Sequence, residues 1–527
     1  MVGAPGLRAV VVASVALAAA ACHVEHVPPL APDAAADVEP VQLVPTPRSM
    51  TIEAGALHLA ADVRIVTPVE GTAVAELLAA ALRPATGFAL PVVVEGDPRD
   101  GDIAFKLDDA LERLGLEGYQ LIATGRVVTV RAFTAAGLFY GTQTLRQLLP
   151  AEIGRAEPVS GVDWKVPRVD IEDAPRYRWR GVMLDVARHF FDVPTVERII
   201  DLAAYHKLNR LHLHLTDDQG WRIQIDSWPA LTAIGGSTQV GGGAGGFYTK
   251  ADYAALIAYA HDRFVTVVPE IDMPGHTNAA LASYGELNPD GQPRPPYTGT
   301  GVGISSLWLD GPSTARFVEE VLGEVMEMTP GAYIHVGGDE AAQTPPAPYV
   351  AFLEKVHRVV ATRGKTLIGW EEIARADLHQ GSALAQHWVD RTLADAAEDQ
   401  GARIIASPAG HTYLDMRYDA DTPVGQSWVG LVDVGRAYSW DPETELVDVR
   451  PTAIEGVEAP LWTETVATPA DIDLLMFPRL CGHAEIAWSL RQGRDWSGYR
   501  PRLAAHGRRL EALGVGFYRS RQIDWGD

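Results

Sequence analysis

Cysteine is almost missing from this chain: only Cys22 and Cys481 occur in 527 residues. A disulfide framework is therefore excluded, and stability must come from a packed core. Basic residues are scarce too. Lys and Arg number 44 against 68 Asp and Glu, a formal charge of −24, and so acidic a surface repels phosphate backbones; nucleic acid is not an expected partner. The apolar run Val10–Ala21 falls short of the roughly 20 residues a membrane-spanning helix needs. The Gly-rich loop at Gly241–Gly246 has no Lys-Ser/Thr behind it, so it spells no phosphate-binding motif and reads as a mobile loop. Against these absences stand 47% apolar residues and 13 Trp. That composition excludes global disorder, and the length suits two to four domains of about 100–200 residues. Indole faces commonly line sugar sites, although core packing is the commoner role of any single Trp.

Arg8 followed by the run Val10–Ala21 has the proportions of a signal peptide over residues 1–21. Cys22 directly after small residues resembles the lipobox of bacterial lipoproteins, with Ala19 where Leu is usual and Leu17 just upstream. That resemblance implies acylation of Cys22 and a membrane anchor at the periplasmic or cell surface, which two or more acyl chains would make stable and one would not. Ordinary cleavage after an Ala-x-Ala site, leaving a free thiol, is the alternative. Residues 22–40 are rich in Pro, Ala and Asp without periodicity, the mark of a flexible tether. Cys481, in an apolar segment, is expected to be a buried, inert thiol.

Residues 41–165 mix short β-rich runs with helical stretches around Ala73–Leu82 and Ala135–Leu149, and Thr124-Gly125-Arg126 separates two strands as a hairpin turn would. This is a small α+β domain. Over residues 173–515 strand and helix alternate. Val196, Ile199, Ile200 and Ala203 share one helix face behind Pro194, and Thr249 with Asp252 makes a capping box. Strands are expected at Leu211–Leu215, Phe264–Val268, Ala332–Val336, Thr366–Gly369 and Ala402–Ala406. The pattern favours an α/β fold of the (β/α)8 barrel type, with a doubly wound sheet as second choice.

Each strand end in turn delivers polar or indole side chains: Arg188 and His189; Asp217 and Asp218; Glu270, Asp272 and His276; Asp339 and Glu340; Trp370; Trp388; Tyr413 and Asp415; Trp462 and Glu464. One carboxylate per loop is ordinary, but their convergence on one rim points to a site. In Gly337-Gly338-Asp339-Glu340 two glycines allow a tight exit from the strand, and neighbouring carboxylates resist joint ionisation, raising one pKa towards that of a general acid. The competing reading is a turn followed by a helix whose first turn carries both acids for its dipole.

HVGGDE, LHLHLTDDQGWRI, PEIDMPGH and EAPLWTE look like the signature segments of family 20 glycoside hydrolases, the β-N-acetylhexosaminidases, in order across about residues 173–490, and the preceding module resembles that family's small N-terminal domain. The resemblance implies a retaining, substrate-assisted exo-hydrolase of terminal β-linked GlcNAc or GalNAc on oligosaccharides or glycoconjugates, without cofactor or metal. It implies Glu340 as acid/base, Asp339 as stabiliser of the acetamido nitrogen, and Tyr413 as donor to the acetamido oxygen. Trp370, Trp388 and Trp462 would wall the N-acetyl methyl, with Trp428 at the rim. Arg188, Asp415 and Glu464 would hold sugar hydroxyls, while Asp217 and His276 would pair to orient the acid's surroundings. Rival readings are a metal-dependent hydrolase using His212, His214, His276 and Asp339, a non-catalytic amino-sugar-binding lipoprotein, and a disaccharide-releasing member of the same family. Oligomeric state is not legible.

Overall fold

The computed structural model describes residues 40–379 and 382–526 together with Met1. The expected signal peptide, the tether up to residue 39 and Cys22 lie outside the described residues. None of the described helices is long and apolar enough to cross a membrane.

The first domain is a seven-stranded sheet built from β1 (Ser49–His58), β2 (Ile65–Thr67), β3 (Val92–Val94), β4 (Ile103–Leu107), β5 (Tyr119–Ala123), β6 (Val128–Ala132) and β7 (Lys165–Asp173). Its order is β1-β7-β5-β6-β4-β2-β3. The expected hairpin is present: β5 and β6 pair antiparallel, and Thr124 N–H donates to the Val127 carbonyl. Two helices cover the sheet, α1 (Thr72–Thr86) and α2 (Ala135–Leu148). A helix apolar on most sides must be buried on most sides, and α2 is. Leu138 and Leu145 are fully buried, while Phe139 and Tyr140 reach Phe264 and Trp488 of the second domain with ring centroids 5.2 Å apart in each case.

Strand β7 carries this sheet past residue 165 to Asp173, and Asp173 joins the two domains. Its Oδ2 accepts hydrogen bonds from Lys207 Nζ (3.0 Å), Tyr119 Oη (2.8 Å) and Trp488 Nε1 (2.9 Å), with both Asp173 and Lys207 out of solvent. Nearby, the buried Arg180 guanidinium forks onto Glu117 at 2.7 and 2.9 Å.

The second domain is a closed barrel of eight parallel strands: β8 (Trp179–Asp185), β9 (Arg210–His214), β10 (Thr266–Glu270), β11 (Tyr333–His335), β12 (Thr366–Trp370), β13 (Ala383–His387), β14 (Arg403–Ala406) and β15 (Ile454–Leu461), with β15 returning to β8. Helix α3 (Val193–Tyr205) starts at the Asp192 cap and buries Val196, Ile199, Ile200 and Ala203, while α4 (Lys250–Asp262) carries the Thr249/Asp252 capping box. The third barrel strand begins later than its apolar run suggests. Phe264 takes a left-handed φ of 58° to leave α4, so the turn consumes the start of that run.

Alternation along each strand sends every second side chain inward. The floor is an apolar layer of Trp179, Val268, Ile368, Leu384 and Ile405. Above it lies a polar layer, where Glu458 accepts from Trp179 Nε1 (2.8 Å) and Gln386 Nε2 (3.0 Å) and faces His212 Nδ1 at 2.8 Å. Helix Arg479–Trp488 packs outside; Cys481 is fully buried there, and burial pushes its thiol far above the ordinary range, as an inert thiol requires.

Candidate active site

The loops leaving the eight strands at their carboxyl ends meet in one place. After β8, Asp185 shapes the turn: its Oδ1 accepts the backbone N–H groups of Ala187 (2.8 Å) and Arg188 (3.0 Å), and its Oδ2 accepts that of Thr463 (3.0 Å). Arg188 is thereby aimed across the mouth, where Nη2 pairs with Asp217 Oδ2 at 2.8 Å and the guanidinium lies 4.8 Å from the Trp462 ring centre. Arg222 ties the first loops together, donating to the carbonyls of Val186, Ala187, Gly236, Thr238 and Gly246. The Gly-rich loop is therefore pinned at its ends, a correction to its reading as simply mobile.

After β9 and β10 come Asp217 and His276. His276 Nδ1 lies 3.2 Å from Asp217 Oδ1, and Asp217 Oδ2 lies 2.8 Å from His214 Nε2. Burial alone would raise Asp217, but the charges of Arg188 and His276 hold it well below the usual carboxylate range. Burial alone would lower His276; Asp217 and Asp339 raise it well above its ordinary value, so it is an imidazolium.

After β11 the chain turns at Gly337 (φ 67°) and Gly338 (φ 97°) before presenting Asp339 and Glu340. The next helix begins only at Pro346. The two acids therefore do not sit in a helix first turn, and that competing reading falls. Both Glu340 (φ 43°) and His276 (φ 53°) hold left-handed backbone conformations without being glycine, a strain that persists only where the surroundings impose it. Glu340 Oε2 and Asp339 Oδ2 lie 3.4 and 3.7 Å from His276 Nε2. Their exposures differ. The Asp339 side chain is 11% exposed and that of Glu340 34%, so the aspartate faces the interior while the glutamate faces the opening. The raised pKa expected of one partner falls on Asp339: burial, then the charge of Glu340, push it up to about 6 against the pull of His276.

The remaining strands supply rings. Trp370 and Trp462 lie with ring centres 5.6 Å apart, Tyr413 is 6.2 Å from Trp462, and Trp388 stacks on Tyr413 at 6.5 Å with planes 10° apart. Trp428 closes the row edge-on, 6.0 Å from Trp388 and 54% exposed, which places it at the rim. Burial raises the Tyr413 hydroxyl well above its usual value, keeping it a protonated donor. Asp415 and Glu464 are both raised, by burial first; the charge of Glu464 adds to the shift on Asp415, and Arg188 opposes the shift on Glu464.

Among the described residues, the buried polar atoms without a hydrogen-bond partner include Asp339 Oδ1, Asp415 Oδ1, Glu464 Oε2 and Arg188 Nε. Buried polar atoms left unpaired are costly, and this group lies around one ring-walled mouth. Its carboxylate oxygens can accept N–H and O–H groups, and its Arg188 N–H can donate, to a polyhydroxylated ligand with an amide. Of the residues singled out from the sequence, His212 lies in the polar layer of the barrel and Cys481 outside it. Arg188, Asp217, His276, Asp339, Glu340, Tyr413 and the four indoles given roles from the sequence come together at this mouth, with Asp415 and Glu464 buried beside them. Two that were not given roles join them: Asp272, whose Oδ1 accepts the Gly338 N–H at 3.2 Å, and Glu372, 3.2 Å from Trp388 Nε1 and pushed up to about 8 by burial and the charges of Asp339 and Glu371. Asp272 was visible at a strand end, but its partner is remote in sequence. The histidines weighed as metal ligands each face carboxylates: His214 at both ring nitrogens, and His212 towards Glu458 and Glu270.

Comparison with known proteins agrees with this geometry. The catalytic domain of glycosyl hydrolase family 20 matches residues 177–347 and 346–491, and domain 2 of the same family matches residues 41–174. A β-N-acetylhexosaminidase of Cellulomonas fimi is 41% identical over 414 residues, covering 78% of this chain and 82% of its own. The structure of the family 20 β-N-acetylhexosaminidase of Streptomyces coelicolor A3(2) superposes with a TM-score of 0.90 at 48% identity, over 93% of this chain and 100% of that one. A mutant Streptomyces plicatus β-hexosaminidase in complex with its product GlcNAc superposes equally well, with a TM-score of 0.90 at 49% identity over 93% and 99% of the two chains.

Proposed function

The chain belongs to glycosyl hydrolase family 20, and from that premise we propose that it is an exo-acting β-N-acetylhexosaminidase, removing terminal non-reducing β-linked GlcNAc or GalNAc from oligosaccharides or glycoconjugates by a retaining, substrate-assisted mechanism. The observation that carries this reading is the unpaired, buried Asp339 Oδ1 beside the outward-facing Glu340 within a wall of indoles.

Glu340 donates its proton to the glycosidic oxygen as the bond to the anomeric carbon breaks. The carbonyl oxygen of the substrate's own 2-acetamido group attacks that carbon from the opposite face and closes an oxazolinium ring. Positive charge grows on the acetamido nitrogen, and ionised Asp339 accepts its N–H and stabilises the charge in a dry environment. Tyr413 donates to the acetamido oxygen and aims it. Glu340, now a carboxylate, takes a proton from water as that water opens the ring, so configuration is retained. Trp370, Trp388 and Trp462 exclude water around the methyl group, and Trp428 meets the leaving group at the rim. Arg188, Asp415 and Glu464 hold hydroxyls; the raised carboxyls can donate as well as accept. Asp217 keeps His276 charged beneath both acids.

The test is a panel of aryl glycosides. β-GlcNAc and β-GalNAc substrates should turn over rapidly and the matching β-glucoside should not; equal rates on both would remove the acetamido group from the mechanism. Export and lipid anchoring through Cys22 complete the reading, supported by the apolar run that ends at that residue.

A further inference from the structure

Below the mouth, the barrel holds linked acids and imidazoles that take no chemical step in the reaction above. From His276 the chain of contacts runs to Asp217 (3.2 Å), from Asp217 to His214 Nε2 (2.8 Å), and from His214 Nδ1 to Glu270 Oε2 (2.5 Å). His214 meets a carboxylate at each ring nitrogen, so it must carry both protons to donate to both. Glu270, wholly buried at the end of β10, uses its other oxygen differently: Oε1 accepts the Trp370 indole N–H at 3.0 Å. Burial would raise this carboxyl, but His335, His214 and His212 hold it well below its usual range, so it is an anion in a dry interior. A charge in such a place is tolerated only when its oxygens are used. Oε2 also lies 3.0 Å from His212 Nε2 and Oε1 3.0 Å from His335 Nδ1, and between them the two oxygens reach both sides of the site.

We propose that Glu270 is a positioning residue that links the proton donor to the acetamido pocket: through His214 and Asp217 it fixes His276 beneath Glu340, and through Trp370 it fixes the indole wall. The inference rests on the hexosaminidase reading, in which protonation of the leaving oxygen and attack by the acetamido oxygen occur together at one carbon. Such a step tolerates little misplacement of either group. One rigid carboxylate between them sets their separation.

Glu270→Gln tests this, because an amide of the same shape has one oxygen and one NH2. Whichever way it flips, either the His214 N–H or the Trp370 N–H faces a donor. kcat/KM should be measured for a series of aryl β-N-acetylglucosaminides of increasing leaving-group pKa. A loss should appear with every leaving group, through the pocket, and grow along the series by about a further tenfold or more at the poorest leaving group. Trp370→Phe removes the indole donor and part of the wall while leaving the His214 link in place, and should give a loss independent of the leaving group. If Glu270→Gln is recovered unfolded, His214→Gln reads the same series, since it breaks the link to the acid and leaves the contact between Glu270 and Trp370 in place. A uniform loss across the series, or no loss, overturns the proposal. Failure of the parent reading looks different: the unsubstituted protein would then cleave β-glucosides as fast as their N-acetylated counterparts.

Discussion

A Cβ on Gly337 would lie 1.7 Å from Asp272 Oδ1, the oxygen that accepts the Gly338 N–H. The acids of the proposed reaction are thus set by a turn that leaves no room for any side chain but hydrogen. The left-handed φ of 67° adds roughly 1–2 kcal/mol of strain for an L-residue. Gly337→Ala should therefore lose stability by more than that amount in denaturant unfolding and lose nearly all activity, and a variant of unchanged midpoint and turnover would contradict the clash.

Asp339 has a pKa of about 6, and its proposed task needs the ionised form. Below that pKa it carries a proton and cannot stabilise charge on the acetamido nitrogen. kcat/KM should therefore fall with pH on the acidic side, by about tenfold per unit well below the midpoint. Asp339→Asn should lower the rate, abolish that limb and weaken inhibition by a thiazoline that mimics the oxazolinium ring. A persistent limb in the Asn variant would assign the titration elsewhere.

Glu340→Gln keeps the shape of the side chain but has no proton to give. Hydrolysis of substrates with poor leaving groups should drop about 10²–10⁴-fold, while product affinity, measured by calorimetry, stays close to the original. Undiminished turnover of such substrates would remove Glu340 from its role.

Cys22→Ala should move the protein from the membrane fraction to the soluble fraction and abolish incorporation of labelled fatty acid. An unaltered distribution would leave ordinary signal-peptide cleavage as the explanation of the apolar run.

Much of this site can be read along the chain because a barrel places its chemistry at strand ends, and strand ends are local. His214 and Asp217 are three residues apart and meet directly; Asp339 follows its strand by a two-glycine turn. The strands β1 and β7 were not legible in the same way. β1 has a register shift between Ile52 and Ala56 and is mostly exposed, so it shows no clean alternation, and β7 includes Pro167 and charged residues throughout. What no local pattern carries is the link from Glu270 to Trp370, a hundred residues on. Nor could spacing show that burial would push Asp339 up; its enclosed position does that.

The contact between Lys207 and Asp173 bears on how this protein can be divided. Excising the smaller sheet would strand an ammonium group, an indole N–H and the Arg180 guanidinium against an apolar surface never built to meet water. Within the intact protein, removing Asp173 alone would leave the buried ammonium group uncompensated at about 3–5 kcal/mol, a large part of the roughly 5–15 kcal/mol that keeps a domain folded. The two modules are therefore one cooperative unit, and any transplant, fusion or shortened version of the hydrolase has to carry both.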